Sequence, residues 1–218
     1  MRRKLLLATN NRGKGDEYRR LLRDIPFELV MLADAGITTE VVEAGESLEE
    51  NARLKATVLA ARSGLLAMAD DSGLEVDALG GEPGRLSARY AGEGASDKDR
   101  IHYLLSRLKD MPWEKRTAHF RCVIAVATPS GEVALCSGEC CGLITFKPKG
   151  SQGFGYDPIF YLPELGKTMA ELPMEVKNQI GHRGQAARKV YQVLSRPPFC
   201  TFPEKKPTIS PKNTIFLS

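Results

Sequence analysis

The chain has 218 residues, a net charge of +4 at pH 7, 42% hydrophobic and 27% charged residues. That balance predicts one self-sufficient domain, two-lobed at most, and excludes a disordered chain. No run approaches the ~18 apolar residues of a membrane span, the apolar stretch ending at Ala8 is too short for a secretory signal, and the mild positive charge forms no basic stripe. We therefore expect a cytoplasmic protein with no membrane partner and no stable nucleic-acid partner.

Lys4 to Ala8 reads as a first strand, followed by the polar turn Thr9 to Lys14 and a helix carrying Tyr18, Leu21, Leu22 and Ile25 at i, i+3, i+4, i+7 spacing. Ser47 with Glu50 three residues on predicts a capping box opening a second helix, with Leu48, Ala52, Ala56 and Leu59 inside and Asn51 and Lys55 on another stripe. Leu74, Val76 and Ala78 alternate with Glu75 and Asp77, so Asp70-Asp71-Ser72-Gly73 is expected at a turn between two extended segments. A third helix follows Ser96-Asp97 with Ile101, Leu104, Leu105 and Leu108 in register. Ala118–Ala127 and Glu132–Gly138 predict strands joined at Pro129-Ser130-Gly131, and Cys141–Lys147 predicts a third. Gln152–Pro163 is expected to be irregular, and Ala186, Val190, Val193 and Leu194 mark a last helix entered near Gly181-His182. From Pro197 the composition turns proline-rich and aperiodic, which predicts a domain over residues 1–196 and a tail over 197–218, with only a short apolar tip at Ile215-Phe216-Leu217.

Five cysteines without a CxxC spacing and three scattered histidines predict reduced thiols and a poor zinc site; His102 and His119 are read as structural. The chemistry concentrates elsewhere. Two adjacent carboxylates, Asp70 and Asp71, repel one another, and a hard cation such as Mg²⁺ relieves that repulsion. Asp, Ser and Gly also make an ordinary solvated turn, so the segment alone leaves both readings open. The loop Thr9-Asn10-Asn11-Arg12-Gly13-Lys14, between strand and helix, offers backbone N–H groups, a helix N-terminus and a lysine to a polyphosphate, although polar residues also simply cap helices.

Five motifs then occur in a fixed order: Thr9-x-Asn11-x-x-Lys14, Asp70-Asp71-Ser72-Gly73-Leu74, Pro83-Gly84-x-x-Ser87-Ala88-Arg89-Tyr90, Phe154-Gly155-Tyr156-Asp157-Pro158 and Lys177-Asn178-x-x-x-His182-Arg183. In this the chain resembles the inosine triphosphate pyrophosphatase family from about residue 4 to residue 195. The resemblance implies an α/β fold, two-lobed and mixed around a central elongated mixed β-sheet, a homodimer, and Mg²⁺-dependent hydrolysis of ITP, dITP and XTP to the monophosphate and pyrophosphate. It further implies that Asp71 is proton acceptor and metal ligand, supported by Asp70, with Glu43 of Glu43-Ala44-Gly45 as a further ligand and Lys14 acting in catalysis. Substrate contacts are implied for Thr9, Asn10, Asn11, Arg12, Gly13, Lys14, Lys55, Ser72, Phe154, Gly155, Tyr156, Asp157, Lys177, His182 and Arg183. Read without their company, Phe154 and Tyr156 are core aromatics, His182 a helix cap and Lys55 a solvated lysine. Two positions depart from the family pattern. Gly181 stands where a serine is common, removing a hydroxyl beside the base-binding residues, and Asn10 replaces a frequent glycine, where a left-handed backbone would suit either. A septum-inhibitor-type nucleotide pyrophosphatase and a non-hydrolysing nucleotide-binding module are the competing functions; Lys177, His182 and Arg183 argue against the first, and the Asp70-Asp71 pair against the second.

Overall fold

The computed structural model describes residues 2–38 and 41–201; residues 202–218, which include most of the expected tail and the Ile215-Phe216-Leu217 tip, lie outside the described residues. The strands are β1 (Arg3–Leu7), β2 (Phe27–Met31), β3 (Leu66–Val76), β4 (Pro83–Gly84), β5 (Thr117–Ala127), β6 (Val133–Ile144), β7 (Phe160–Leu162) and β8 (Lys167–Thr168). The α-helices are α1 (Arg12–Leu21), α2 (Leu48–Ser63), α3 (Asp97–Arg107), α4 (Met174–Ile180) and α5 (His182–Leu194). The strands form one eight-stranded sheet in the order β2-β1-β3-β5-β6-β7-β8, with β4 added to β3. β1 runs parallel to β2 and β3, whereas β3 with β4, β6 with β7 and β7 with β8 are antiparallel. The mixed α/β class expected from the sequence is the class observed. No helix among the described residues is long and apolar enough to cross a membrane.

The chain divides into two compact units, the first built from Met1–Asp71, Val123–Ser137 and Ala186–Ser218, the second from Ser72–Cys122 and Gly138–Gln185. In the first, Leu5, Leu6 and Leu7 of β1 are fully buried, and Ala52, Ala56 and Ala60 bring α2 close because they carry so little side chain. Ser47 caps α2 by accepting from the Glu50 N–H, and Gly64, left-handed at φ 68°, closes it. Phe199, beyond the expected boundary at 196, is buried in this unit, and the Cys200 carbonyl accepts from Arg3. The second unit packs Leu74, Val76, Ile101, Leu104, Phe120, Ile159 and Phe160 into one cluster. Arg116, 1% exposed, runs beside that cluster and donates to the carbonyls of Ile144 (2.7 Å), Leu108 (2.6 Å) and Thr145 (3.0 Å), so burial, which lowers its pKa, is offset by satisfied donors.

Several expectations change. Asp70-Asp71-Ser72 lies inside the continuous strand β3 and not at a turn: β1 pairs the strand's beginning (Leu7 with Met68), β4 its end (Leu74 with Gly84), and β5 is its neighbour on the other side in the sheet. The strands expected at 132–138 and 141–147 are one strand, β6, whose alternation of buried and exposed residues continues through Glu139, Cys140 and Cys141. Glu50 accepts from the Glu46 N–H, one residue before the helix cap, which leaves the expected capping box half formed. Among the described residues only glycines have positive φ, so Asn10 is not left-handed. Arg12, Gly13 and Lys14 already belong to α1, which Asn11 caps.

Candidate functional site

In the first unit, the charged groups meet where the middle of β3 faces α1 and α2. Asn11 caps α1 by accepting from the Lys14 N–H at 3.0 Å, while the Thr9 hydroxyl accepts from the Asn11 N–H at 3.1 Å. This fixes the first turn, and Lys14 extends from it to an ion pair with Asp70. The buried Asp70 carboxylate accepts a second hydrogen bond from the Tyr18 hydroxyl at 2.5 Å, one turn further along α1. From α2, Lys55 Nζ donates to Glu43 Oε1 (2.9 Å), Asp71 Oδ1 (2.9 Å) and the Asp70 carbonyl (3.0 Å). Asn51, one turn earlier and fully buried, donates to Asp71 Oδ2 at 3.3 Å and accepts from the Gly45 N–H at 2.9 Å. Gly45 has to be glycine for that approach, since a Cβ would stand 2.7 Å from Asn51 Oδ1.

Glu43, Asp70 and Asp71 thus face two ammoniums, Lys14 and Lys55. One lysine is shared by two carboxylates. Burial works to lower the Lys55 pKa, but Asp71 and Glu43 together outweigh it and the net shift is upward. Burial pushes Asp71 above the ordinary carboxylate range, and half a share of Lys55 does not pull it back. An oxygen-rich group with one surplus negative charge fits a hard divalent cation, with Glu43 and Asp71 as the donors, and a carboxylate held above its usual pKa is a better proton acceptor.

In the second unit, the segment 154–157 is pinned by carboxylates. Asp157, 2% exposed, accepts from the Phe154 N–H at 2.9 Å and from the buried Lys177 ammonium. Asp97, the first residue of α3, accepts from the Gly155 N–H at 2.7 Å and pairs with Arg100. The buried Tyr156 hydroxyl donates to the Ser87 carbonyl at 3.0 Å. Lys177 Nζ lies 4.9 Å and Arg183 Cζ 5.4 Å from the Phe154 ring centroid, both within cation–π range. Arg183 also donates to the Ser72 hydroxyl at 3.0 Å. His182 is 5% exposed and stacks on Phe120, with centroids 4.8 Å apart and planes at 17°. Gly181 has ordinary extended angles, φ −69° and ψ 157°, but a Cβ there would come within 2.7 Å of the Lys177 carbonyl.

The sequence-derived residues therefore fall into two groups. Thr9, Asn11, Lys14, Glu43, Lys55, Asp70 and Asp71 are linked in the first unit; Asn10 and Arg12 are exposed beside them, and Gly13 is half-buried. Ser72, Phe154, Gly155, Asp157, Lys177 and Arg183 are linked in the second. Asp157 and Tyr156 spend their polar atoms on holding the segment, and His182 spends its ring on Phe120. Three contributors escape a sequence reading: Tyr18, taken there for a core residue, Asn51, and Asp97, taken for the start of a helix. Only Asn51 carries a signal, its polar stripe with Lys55 on α2.

A family profile described as the Ham1 family matches residues 5–193. A dITP/XTP pyrophosphatase of Geobacter sulfurreducens is 52% identical over 84% of this chain and 92% of its own length. The dITP/XTP pyrophosphatase of Bacillus subtilis is 44% identical over 87% of this chain and 96% of its own. Among solved structures, a HAM1 protein from Coxiella burnetii superposes with a TM-score of 0.81 at 40% identity, covering 88% of this chain and 98% of that one.

Proposed function

The chain belongs to the Ham1 family, and on that premise we propose that it hydrolyses non-standard purine nucleoside triphosphates, dITP, XTP and ITP, to the monophosphate and pyrophosphate. The observation that carries the chemistry is Lys55, held at 2.9 Å from both Glu43 and Asp71. A bound Mg²⁺, held by Glu43 and Asp71 with Asp70 beside them, would neutralise charge on the phosphates and lower the pKa of a bound water. Asp71 takes the proton as water attacks the α-phosphorus and the bond to the bridging oxygen breaks. Lys14 and Lys55 stabilise the charge that collects on the departing pyrophosphate. Thr9, Asn11 and the first turn of α1 hold its oxygens through N–H groups.

Base recognition falls to the second group. An ammonium has three donors, so Lys177 can keep Asp157 and still donate to a keto oxygen, as can Arg183. Hypoxanthine and xanthine present that acceptor at position six. Adenine presents an amino group there, which leaves the donors unpaired. Phe154 supplies a ring face for stacking. We place the enzyme in the cytoplasm as a homodimer, and extend its domain through residue 201 because Phe199 is buried.

The test is a panel of dITP, XTP, ITP and ATP with Mg²⁺, scored for pyrophosphate against orthophosphate. We expect pyrophosphate in one step and a preference over ATP of at least ~10² in kcat/KM. Orthophosphate with a diphosphate product would refute the reaction, and equal use of ATP would refute the specificity.

A further inference from the structure

On the second unit, with residues that belong to none of the motifs above, β5 and β6 turn a polar face outward. Thr117, His119 and Arg121 alternate with buried residues on β5, as Glu139 and Cys141 do on β6. His119, Glu139 and Cys141 each offer one donor atom, nitrogen, oxygen and sulfur, and the three atoms lie within 4.8 Å of one another. Side-chain rotation can adjust such separations to roughly 3.3–3.8 Å, the edge of a tetrahedron whose bonds are ~2.0–2.3 Å.

The imidazole is already oriented. Asp77 Oδ1 lies 3.4 Å from His119 Nε2, and the other Asp77 oxygen is held by the Thr117 hydroxyl at 2.5 Å. Glu139 Oε1 lies 2.9 Å from Nδ1, yet the buried Nδ1 has no hydrogen-bond partner of acceptable geometry, so the protein alone leaves that nitrogen unsatisfied. A metal at Nδ1, with Nε2 turned to Asp77, satisfies it and draws in the Glu139 carboxylate. The thiol of Cys141, exposed and unpaired with any other cysteine, supplies a soft third donor.

We propose that His119 Nδ1, Glu139 and Cys141 bind a zinc ion, with Asp77 orienting the histidine and solvent taking the fourth position. A nitrogen, oxygen and thiolate set selects a borderline-soft ion such as Zn²⁺ over the Mg²⁺ assigned to Glu43 and Asp71. Binding expels the Cys141 thiol proton to solvent and forms the Zn–S bond, with no change of oxidation state. The ion would tie β5 to β6 across the outward face of the sheet. Sequence spacing hides the site, since His119 and Glu139 are brought together only by strand pairing.

The full-length protein is alkylated with iodoacetamide, and the rate at Cys141 is followed by mass spectrometry with and without one equivalent of Zn²⁺. We expect Zn²⁺ to slow Cys141 at least ~10-fold, and the protection to vanish in His119→Gln and Glu139→Gln. Co²⁺ in place of Zn²⁺ should give thiolate-to-metal absorption that Cys141→Ser abolishes. Circular dichroism checks that the exposed-face variants fold; a variant that does not is replaced by Asp77→Asn, in which weaker protection is expected. An unchanged Cys141 rate, equal protection in His119→Gln, or a Cys141 that does not react even without metal would each overturn the proposal. Pyrophosphatase activity enters none of these readouts, so the site and the catalytic assignment fail separately.

Discussion

The two groups of functional residues handle charge in opposite ways. Around Asp71 the charges are unequal, three carboxylates to two lysines, and Lys55 is divided between two of them. Around Phe154 they are spent internally: Asp157 on Lys177 and a backbone N–H, Asp97 on Arg100 and another, Arg183 on Ser72. An unbalanced cluster is ready to accept a metal, a proton and a polyphosphate. A balanced one holds a shape. The first arrangement suits reaction, the second recognition.

The sharpest way to break the balanced group is Asp157→Ala, which strands the buried Lys177 ammonium and frees the Phe154 N–H. We expect a loss of ~3–5 kcal/mol in urea unfolding, the range for removing one partner of a buried pair. In the unbalanced group, Asp71→Asn keeps size and the Asn51 contact but removes the proposed proton acceptor. Turnover should fall by at least ~10², about 2.7 kcal/mol of barrier, with the unfolding midpoint little changed. Both groups need the frame around them, and ending the chain at Arg196 removes Phe199 from the first unit. That should cost ~1.5–3 kcal/mol of stability, while ending it at Thr201 should leave melting temperature and activity as they are. The smallest effect is expected for Asp97→Asn, which weakens one hydrogen bond to Gly155 and should raise KM for ITP by roughly 3–10-fold at constant kcat.

Much of this was legible in the chain because it rests on periodicity and local chemistry. The inner faces of α2 and α3 were readable, since Leu48, Ala52, Ala56, Leu59, Ile101 and Leu104 repeat at helical spacing and are all buried. So was the company that Glu43 and Lys55 keep with Asp71, through the family resemblance and not through any of the five motifs. What escaped was set by pairing at a distance. Asp70-Asp71 resembles a turn until Lys14 and Lys55, from two different helices, neutralise it inside a strand. β6 looks broken at Glu139 because a half-exposed strand rich in glycine and cysteine has little propensity, and only its neighbours keep it extended. Tyr18 and Asp97 carry their roles through partners 52 and 58 residues away, which no local pattern encodes.

The division of the chain bears on how the protein is made. The first unit needs three stretches of sequence, and the third, from Ala186 on, is made after all of the second unit. The second needs only two, complete by Gln185. Synthesis therefore delivers every residue of the Phe154 group before the unit holding Asp70 and Asp71 can close, so those carboxylates wait on β3 for α5 and Phe199. Nascent chains arrested shortly before α5 should protect the second unit from protease while leaving Leu5–Leu7 accessible.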